Sequence, residues 1–167
     1  MPLIKDKQFV DDPFTQIDDQ ATLPDSPVIV SLARLQTEAQ TLAARNQPLG
    51  VIIRADNIGK TKAGENVRDL TAYLPILSLV ALEFPEFRNG RGFSAARILR
   101  DELHFTGEIR AIGEVAFDQW AFMMRCGINA FEVSAHVTLA QFSEALGELS
   151  KVYQPACDDK KPILWRR

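Results

Sequence analysis

Residues 76–82 read Ile-Leu-Ser-Leu-Val-Ala-Leu, and this nearly continuous apolar run decides the fold class. A run of this kind is typical of a parallel strand covered on both faces, because a strand with one face in water alternates apolar and polar residues. Shorter apolar segments occur at 28–30, 49–53, 108–112 and 130–133, and helical periodicity fills the intervals between them. The sequence therefore predicts an α/β fold with five mainly parallel strands that alternate with helices.

Two architectures fit this alternation, an open flavodoxin-like sheet and a partial (β/α) barrel. Both place ligands at the carboxyl ends of the strands. Residues 3–10 predict a short N-terminal β-hairpin with Asp6-Lys7 at its tip, and residues 56–59 predict a turn after the second strand. Residues 138–141 resemble a capping box at the start of the last helix. We divide the chain into an N-terminal hairpin and extension (1–26), a single α/β domain (27–154) and a C-terminal tail (155–167).

The turn after the third strand, residues 84–97, predicts an anion site. It combines two glycines, three arginines and a serine at the expected start of a helix. Glycines allow a tight turn with positive φ, unpaired N–H groups at a helix start attract anions, and guanidinium groups donate forked hydrogen bonds to oxyanions. The candidate anion-binding residues are Arg88, Gly90, Arg91, Gly92, Ser94 and Arg97, with Ser94 as the N-cap of the helix and with positive φ at Gly90 or Gly92.

Other interpretations of this turn stay open. Arg88 and Arg91 could pair with neighbouring glutamates and only pin the turn. Residues 90–95 also match the dinucleotide pattern G-x-G-x-x-A, but that pattern belongs in the first strand-to-helix turn, close behind its strand. Here it lies at the third such turn, with residues 84–89 in between.

The sequence offers few groups for catalysis. Glu114 and Asp118, which flank the start of the fourth helix, are weak candidates for an acid or a base, and the catalytic residues are otherwise unknown. The two histidines and two cysteines lie far apart and lack metal-ligand spacing, so we expect no metal site. No motif for a flavin, siroheme, iron–sulfur cluster or nicotinamide is evident, and we expect no cofactor. Trp120 and Met124 lie on an apolar helical stripe and are predicted to be core residues.

The composition excludes some classes of partner. A formal net charge of −3 gives no general attraction to nucleic acid or to anionic lipid. No apolar run approaches the roughly 18 residues needed to span a bilayer. With two cysteines and no signal-peptide core at the N-terminus, a reducing cytoplasm is the expected compartment.

Four blocks of the sequence carry a family resemblance: 82–97, 110–115, 118–119 and 125–132. On these blocks the chain resembles a bacterial domain-of-unknown-function family, number nine hundred and thirty-four, which is commonly labelled an oxidoreductase of sulfite reduction. The resemblance extends over nearly the whole chain, from the N-terminal hairpin to Tyr153-Gln154.

The resemblance implies a role in sulfur assimilation, and the arginine-rich turn independently predicts an oxyanion site. We therefore expect an accessory, anion-binding protein of assimilatory sulfate and sulfite reduction. A small enzyme acting on a sulfated or phosphorylated metabolite is the first alternative. The second is an interaction module for a reductase subunit, using the N-terminal extension and the Trp165 tail. Expected partners are a sulfite-reduction enzyme and a small oxyanion-bearing ligand.

Overall fold

A computed structural model describes residues 1–55, 64–148, 151–158 and 160–165. Within these residues, eight strands form one curled, mixed sheet, and four α-helices accompany it. The strands are β1 Leu3–Lys5, β2 Gln8–Val10, β3 Thr15–Gln16, β4 Val28–Ser31, β5 Leu49–Ile53, β6 Leu79–Phe84, β7 Glu108–Gly113 and β8 Ala130–Glu132. The helices are α1 Leu32–Ala43, α2 Arg91–Arg97, α3 Trp120–Arg125 and α4 Leu139–Gly147. None of the helices in the described ranges is long and apolar enough to cross a bilayer.

The strand order across the sheet is β2-β1-β8-β7-β6-β5-β4-β3. Strands β3 to β8 run parallel, while β1 is antiparallel to both β8 and β2. The α/β class is confirmed, but the sheet of the described residues has six parallel strands, one more than the five predicted. The additional strand, β3, contains only Thr15 and Gln16, and two polar residues carry no hydrophobic alternation by which a strand is recognised.

The consecutive order from β3 to β8 decides between the two predicted architectures. Strand-to-strand crossovers in parallel sheets are right-handed, so an order that never reverses places every crossover on the same face of the sheet. A flavodoxin-like sheet reverses its order at a switch point. The open flavodoxin-like alternative is therefore wrong, and the strand order is that of a partial (β/α) barrel.

Both faces of the central strands are covered, as the apolar run predicted. In β6, Val80, Leu82 and Phe84 point into the main core between the sheet and the helices. Leu79 and Ala81 belong to a smaller cluster on the opposite, inner face, where the side chain of Phe14 also packs. The strand begins three residues later than predicted, because Leu74–Ile76 form a 3₁₀ turn instead of extended chain.

Several predicted boundaries are confirmed. Residues 3–10 form the hairpin, and both tip residues have positive φ, 49° at Asp6 and 66° at Lys7. Thr138 and Gln141 form a reciprocal capping box at the start of α4. Trp120 is buried, and Met124 is partly buried against the main core. The predicted turn at 56–59 lies outside the described residues.

Candidate functional site

A cavity of about 320 Å³ lies at the carboxyl edge of the sheet, between the ends of β5 and β6 and the side of α2. Its floor is apolar, formed by strand residues that include Ile53 and Leu82. This is the edge at which parallel α/β sheets bind ligands. Its charged and polar lining residues are Arg54, Glu65, Asn66, Glu83, Arg91 and Ser94.

The predicted anion-binding residues are only partly brought together. Arg91, Gly92 and Ser94 line the cavity, whereas Arg88 lies exposed on the turn and is not part of the lining. Arg97 forms an ion pair with Asp101 one helical turn further on. The structure thus separates the three arginines of the motif and leaves Arg91 as the one at the cavity.

The predicted backbone conformation of the two glycines is wrong. Gly90 has φ −83° and is the N-cap of α2, and Gly92 has ordinary helical geometry. Because the helix begins at Arg91, Ser94 lies inside it and is not the N-cap. Gly92 has a packing role instead: a Cβ at this position would lie 2.3 Å from Cζ of Phe84.

Glu114 holds the turn between β6 and α2 in place. Its carboxylate oxygen Oε2 accepts a hydrogen bond from the N–H of Phe87 at 2.9 Å. Its own N–H donates to the carbonyl oxygen of Phe84 at 2.7 Å. Neither Glu114 nor Asp118, the weak catalytic candidates, lines the cavity. In this arrangement Glu114 braces the turn that carries Arg91.

The other wall of the cavity is fixed by a reciprocal contact between Arg54 and Glu65. The N–H of Arg54 donates to Oε2 of Glu65 at 2.6 Å, and the N–H of Glu65 donates to the carbonyl oxygen of Arg54 at 2.9 Å. Asn66 then caps a 3₁₀ turn by accepting from the N–H of Arg68. Sequence reasoning missed all three lining residues. Arg54 was recoverable, since it directly follows strand β5 at the ligand-binding edge.

The cavity carries charges of both signs. Two arginines, Arg54 and Arg91, line the same space as two glutamates, Glu65 and Glu83. Guanidinium groups bind oxyanions, whereas carboxylates accept hydrogen bonds from hydroxyl or ammonium groups. The site therefore suits a ligand that has an oxyanion and at least one hydrogen-bond donor.

A second polar cluster lies on the inner face of the sheet and was not predicted. The side chain of Arg110 is 1% exposed, and its guanidinium donates two hydrogen bonds to Asp12, at 2.7 and 3.0 Å, and one to Glu108 at 2.8 Å. Burial alone lowers the pKa of Arg110, but these two carboxylates outweigh it and raise that pKa. Glu132 lies 3.9 Å from Arg110, and burial raises the pKa of its carboxyl group against the opposing attraction of the arginine. All three guanidinium nitrogens of Arg110 donate to carboxylates, and two of them donate to Asp12. The cluster therefore attaches the N-terminal segment that carries Asp12 to the sheet.

The chain matches a known family of bacterial proteins. A family model described as "Bacterial protein of unknown function (DUF934)" matches residues 60–164, more than half of the 167 residues. This range contains α2, Arg91 and most of the cavity lining. No curated protein and no solved structure matches the chain.

Proposed function

The chain belongs to this family of bacterial proteins of unknown function, and from that premise we propose that it is an accessory, anion-binding protein of assimilatory sulfate and sulfite reduction. We also propose a cytoplasmic location. The observation that carries the anion-binding role is the placement of Arg54 and Arg91 in one cavity at the carboxyl edge of the sheet. The sulfur-assimilation role rests on the family resemblance of the sequence.

The size of the cavity supports an organic ligand over a bare ion. Its volume of about 320 Å³ is at the lower end of the range for small-molecule sites. It is roughly ten times the ~30 Å³ that one water molecule occupies in the liquid. An inorganic sulfate would leave most of this space unfilled. We therefore propose a sulfated or phosphorylated metabolite whose oxyanion faces Arg91.

The carboxylates of the cavity refine this ligand class. Glu65 uses one oxygen to accept from the N–H of Arg54, and Glu83, the second-last residue of β6, also lines the cavity. Both would accept hydrogen bonds from hydroxyl or amino groups of a bound metabolite. An oxyanion attached to a hydroxylated or amino-bearing body meets both requirements.

An enzymatic role on the same ligand remains the first alternative. It would draw its acid or base from Glu65 or Glu83, because Glu114 and Asp118 do not line the cavity. The second alternative, an interaction module, is favoured by exposed aromatic side chains. Phe122 and Tyr153, which are 53% and 74% exposed, line one groove, and Trp165 is 64% exposed.

The experiment is a thermal-shift measurement on the full chain with sulfate, sulfite, phosphate and adenylyl sulfates as probes. A probe that binds only the folded form, at a hundredfold excess over its Kd, stabilises by about 2.7 kcal/mol. For a chain of this length that corresponds to a rise in Tm of roughly 5–10 °C. We expect an adenylyl sulfate to produce the largest shift.

Three variants test the site, and two of them form a matched pair. Arg91→Ala removes a guanidinium from the cavity and should remove most of the shift. Arg88→Ala removes the same charge from the same turn, outside the cavity, and should keep it. Ser94→Ala, which alters an exposed lining residue with little effect on folding, should weaken the shift. Absence of any shift in the wild type, or an unchanged shift in Arg91→Ala and Ser94→Ala, would overturn the proposal.

A further inference from the structure

The segment 151–158 lies against the end of α3, and Arg125 holds it there on both sides of Cys157. The N–H of Cys157 donates to the carbonyl oxygen of Arg125 at 2.9 Å. The guanidinium of Arg125 donates to the carbonyl oxygen of Gln154 at 2.8 Å and lies 3.6 Å from the carboxylate of Asp158. These contacts bring Cys157 beside Cys126, the residue that follows Arg125.

The hydrogen bond to Arg125 limits how far apart the two cysteines can be. The carbonyl oxygen of Arg125 and the Cα of Cys126 belong to the same planar peptide unit. With the 2.9 Å hydrogen bond and standard backbone dimensions, the Cα atoms of Cys126 and Cys157 are at most about 7 Å apart. Disulfides join Cα atoms that are about 4.4–6.8 Å apart. The backbone therefore holds this pair within, or a small adjustment from, disulfide range.

The two thiols also share their surroundings. Both cysteines are free and half-buried. The charges of the Arg97–Asp101 ion pair influence the pKa of both thiols. The Sγ of Cys157 donates to Oδ1 of Asp101 at 3.3 Å. Cys157 thus contacts the acidic member of this ion pair, and Cys126 lines one groove together with its basic member, Arg97.

We propose that Cys126 and Cys157 form a reversible disulfide, with a low-molecular-weight disulfide as the oxidant, and that this bond locks the segment 151–158 onto α3. The locked segment includes Tyr153 and Gln154, which form one wall of the groove beside Phe122. The oxidation state of the two thiols would then determine how strongly this wall of the groove is attached to α3.

The chemistry balances in two exchange steps. One protein thiolate attacks a sulfur atom of the small disulfide, which forms a mixed disulfide and releases one small thiol. The second protein thiolate attacks the protein sulfur of that mixed disulfide and releases the second small thiol. The protein loses two electrons and two protons, and the small disulfide becomes two thiols.

The surroundings of the pair make the reaction dependent on pH. Burial raises the pKa of both thiols, and burial together with the hydrogen bond to Asp101 raises that of Cys157 to about 11. Since the thiolate is the nucleophile, the rate should rise about tenfold for each pH unit between 7 and 9. The charged groups that face the pair are Arg97, Arg100, Asp101 and Arg125.

The experiment treats the full chain with oxidised glutathione at pH 8 and measures the intact mass without reductant. The wild type should lose two hydrogen masses and carry no glutathione. Cys126→Ser and Cys157→Ser should each retain one glutathione adduct, because the second thiol is missing. The oxidised wild type should melt several degrees higher than the reduced form, and a dithiol should reverse both changes.

Digestion with trypsin provides a second measurement. Cleavage after Lys151 should release the fragment that contains Cys157 from the reduced protein and leave it attached in the oxidised protein. Stable glutathione adducts on both cysteines of the wild type would overturn the inference, as would disulfide-linked dimers. So would a wild type that stays reduced at pH 9 while its thiols react readily in denaturant.

Discussion

The ring of Phe84, the last residue of β6, fills the space that a side chain on Gly92 would need. A Cβ on Gly92 would lie 2.3 Å from Cζ of Phe84 and 2.7 and 2.8 Å from its two Cε atoms. The same ring is in edge contact with Phe93, at a centroid distance of 5.5 Å. The absence of a side chain at position 92 therefore sets how closely α2 approaches the strand that forms the floor of the cavity.

Gly92→Ala should destabilise the protein by about 1–3 kcal/mol, because the ring must move within a packed core. An alanine in a helix would otherwise stabilise by up to about 1 kcal/mol, so a net loss identifies the clash. Chemical denaturation measures the change. The matched control is Gly90→Ala, where the nearest atom to a new Cβ is 3.9 Å away and φ is −83°, and it should be nearly neutral. Equal losses in both variants would assign the effect to backbone conformation.

Trp120→Ala should cost roughly 3–5 kcal/mol in the free energy of unfolding. The side chain is 1% exposed, packs in tilted contacts against the rings of Phe117 and Phe142, and donates from Nε1 to the carbonyl oxygen of Val115 at 3.3 Å. Phe122→Ala in the same helix removes a ring that is 53% exposed and should change stability little. A Trp120→Ala protein that unfolds at the same denaturant concentration as the wild type would contradict the core assignment.

Asp12→Ala should destabilise by about 1.5–3 kcal/mol, because it removes two charge-assisted hydrogen bonds from a buried guanidinium. Arg110 would keep its hydrogen bond to Glu108 and the more distant carboxylate of Glu132 at 3.9 Å. Asp11→Ala removes the same charge from the exposed neighbouring residue and should be nearly neutral. Proteolysis near residue 12 under native conditions should accelerate in Asp12→Ala, since the segment loses its attachment to the inner face. A protease-resistant Asp12→Ala protein would show that other contacts hold the segment.

Glu132→Gln should stabilise the protein at neutral pH. Burial raises the pKa of Glu132 above its ordinary value of 4.5, so the folded state binds more protons than the unfolded state in the window just above 4.5. The free energy of unfolding of the wild type then falls as pH rises through that window, and this loss of stability remains at higher pH. The gain from Glu132→Gln should therefore be largest at pH 7–8 and disappear below about pH 4.5. Denaturation curves at a series of pH values measure it, and a gain independent of pH would exclude the carboxyl group as its cause.

Local sequence patterns predicted the elements of this fold but not their arrangement. The capping box at Thr138 and Gln141 and the hairpin tip at Asp6-Lys7 depend on residues within a few positions of each other, so they were visible in the sequence. The order of the strands depends on which crossovers share a face. An alternation of apolar segments is the same for an open sheet and for a partial barrel, and it could not decide between them.

The candidate site was predicted in part for the same reason. Arg91 and Ser94 belong to the helix that comes after β6, and the rule that ligands bind at carboxyl ends of strands was enough to find them. The prediction for Gly92 was a local one, positive φ. The structure instead shows that Gly92 leaves room for the ring of Phe84. Asp12 and Arg110 are 98 positions apart, and Cys126 and Cys157 meet only because the chain returns to α3. Contacts of this kind are set by tertiary structure and leave no spacing to recognise.

The pairing of β1 with β8 has a consequence for the order in which the chain can fold during synthesis. Strands β4 to β7 each pair with the next strand to be made, so this part of the sheet can grow as the ribosome adds residues. Leu3–Lys5, in contrast, pairs with Ala130–Glu132 and must wait until nearly four-fifths of the chain exists. The first strand to be translated can pair at once with β2 in the hairpin, but it is among the last to join the rest of the sheet, which it extends beyond β8.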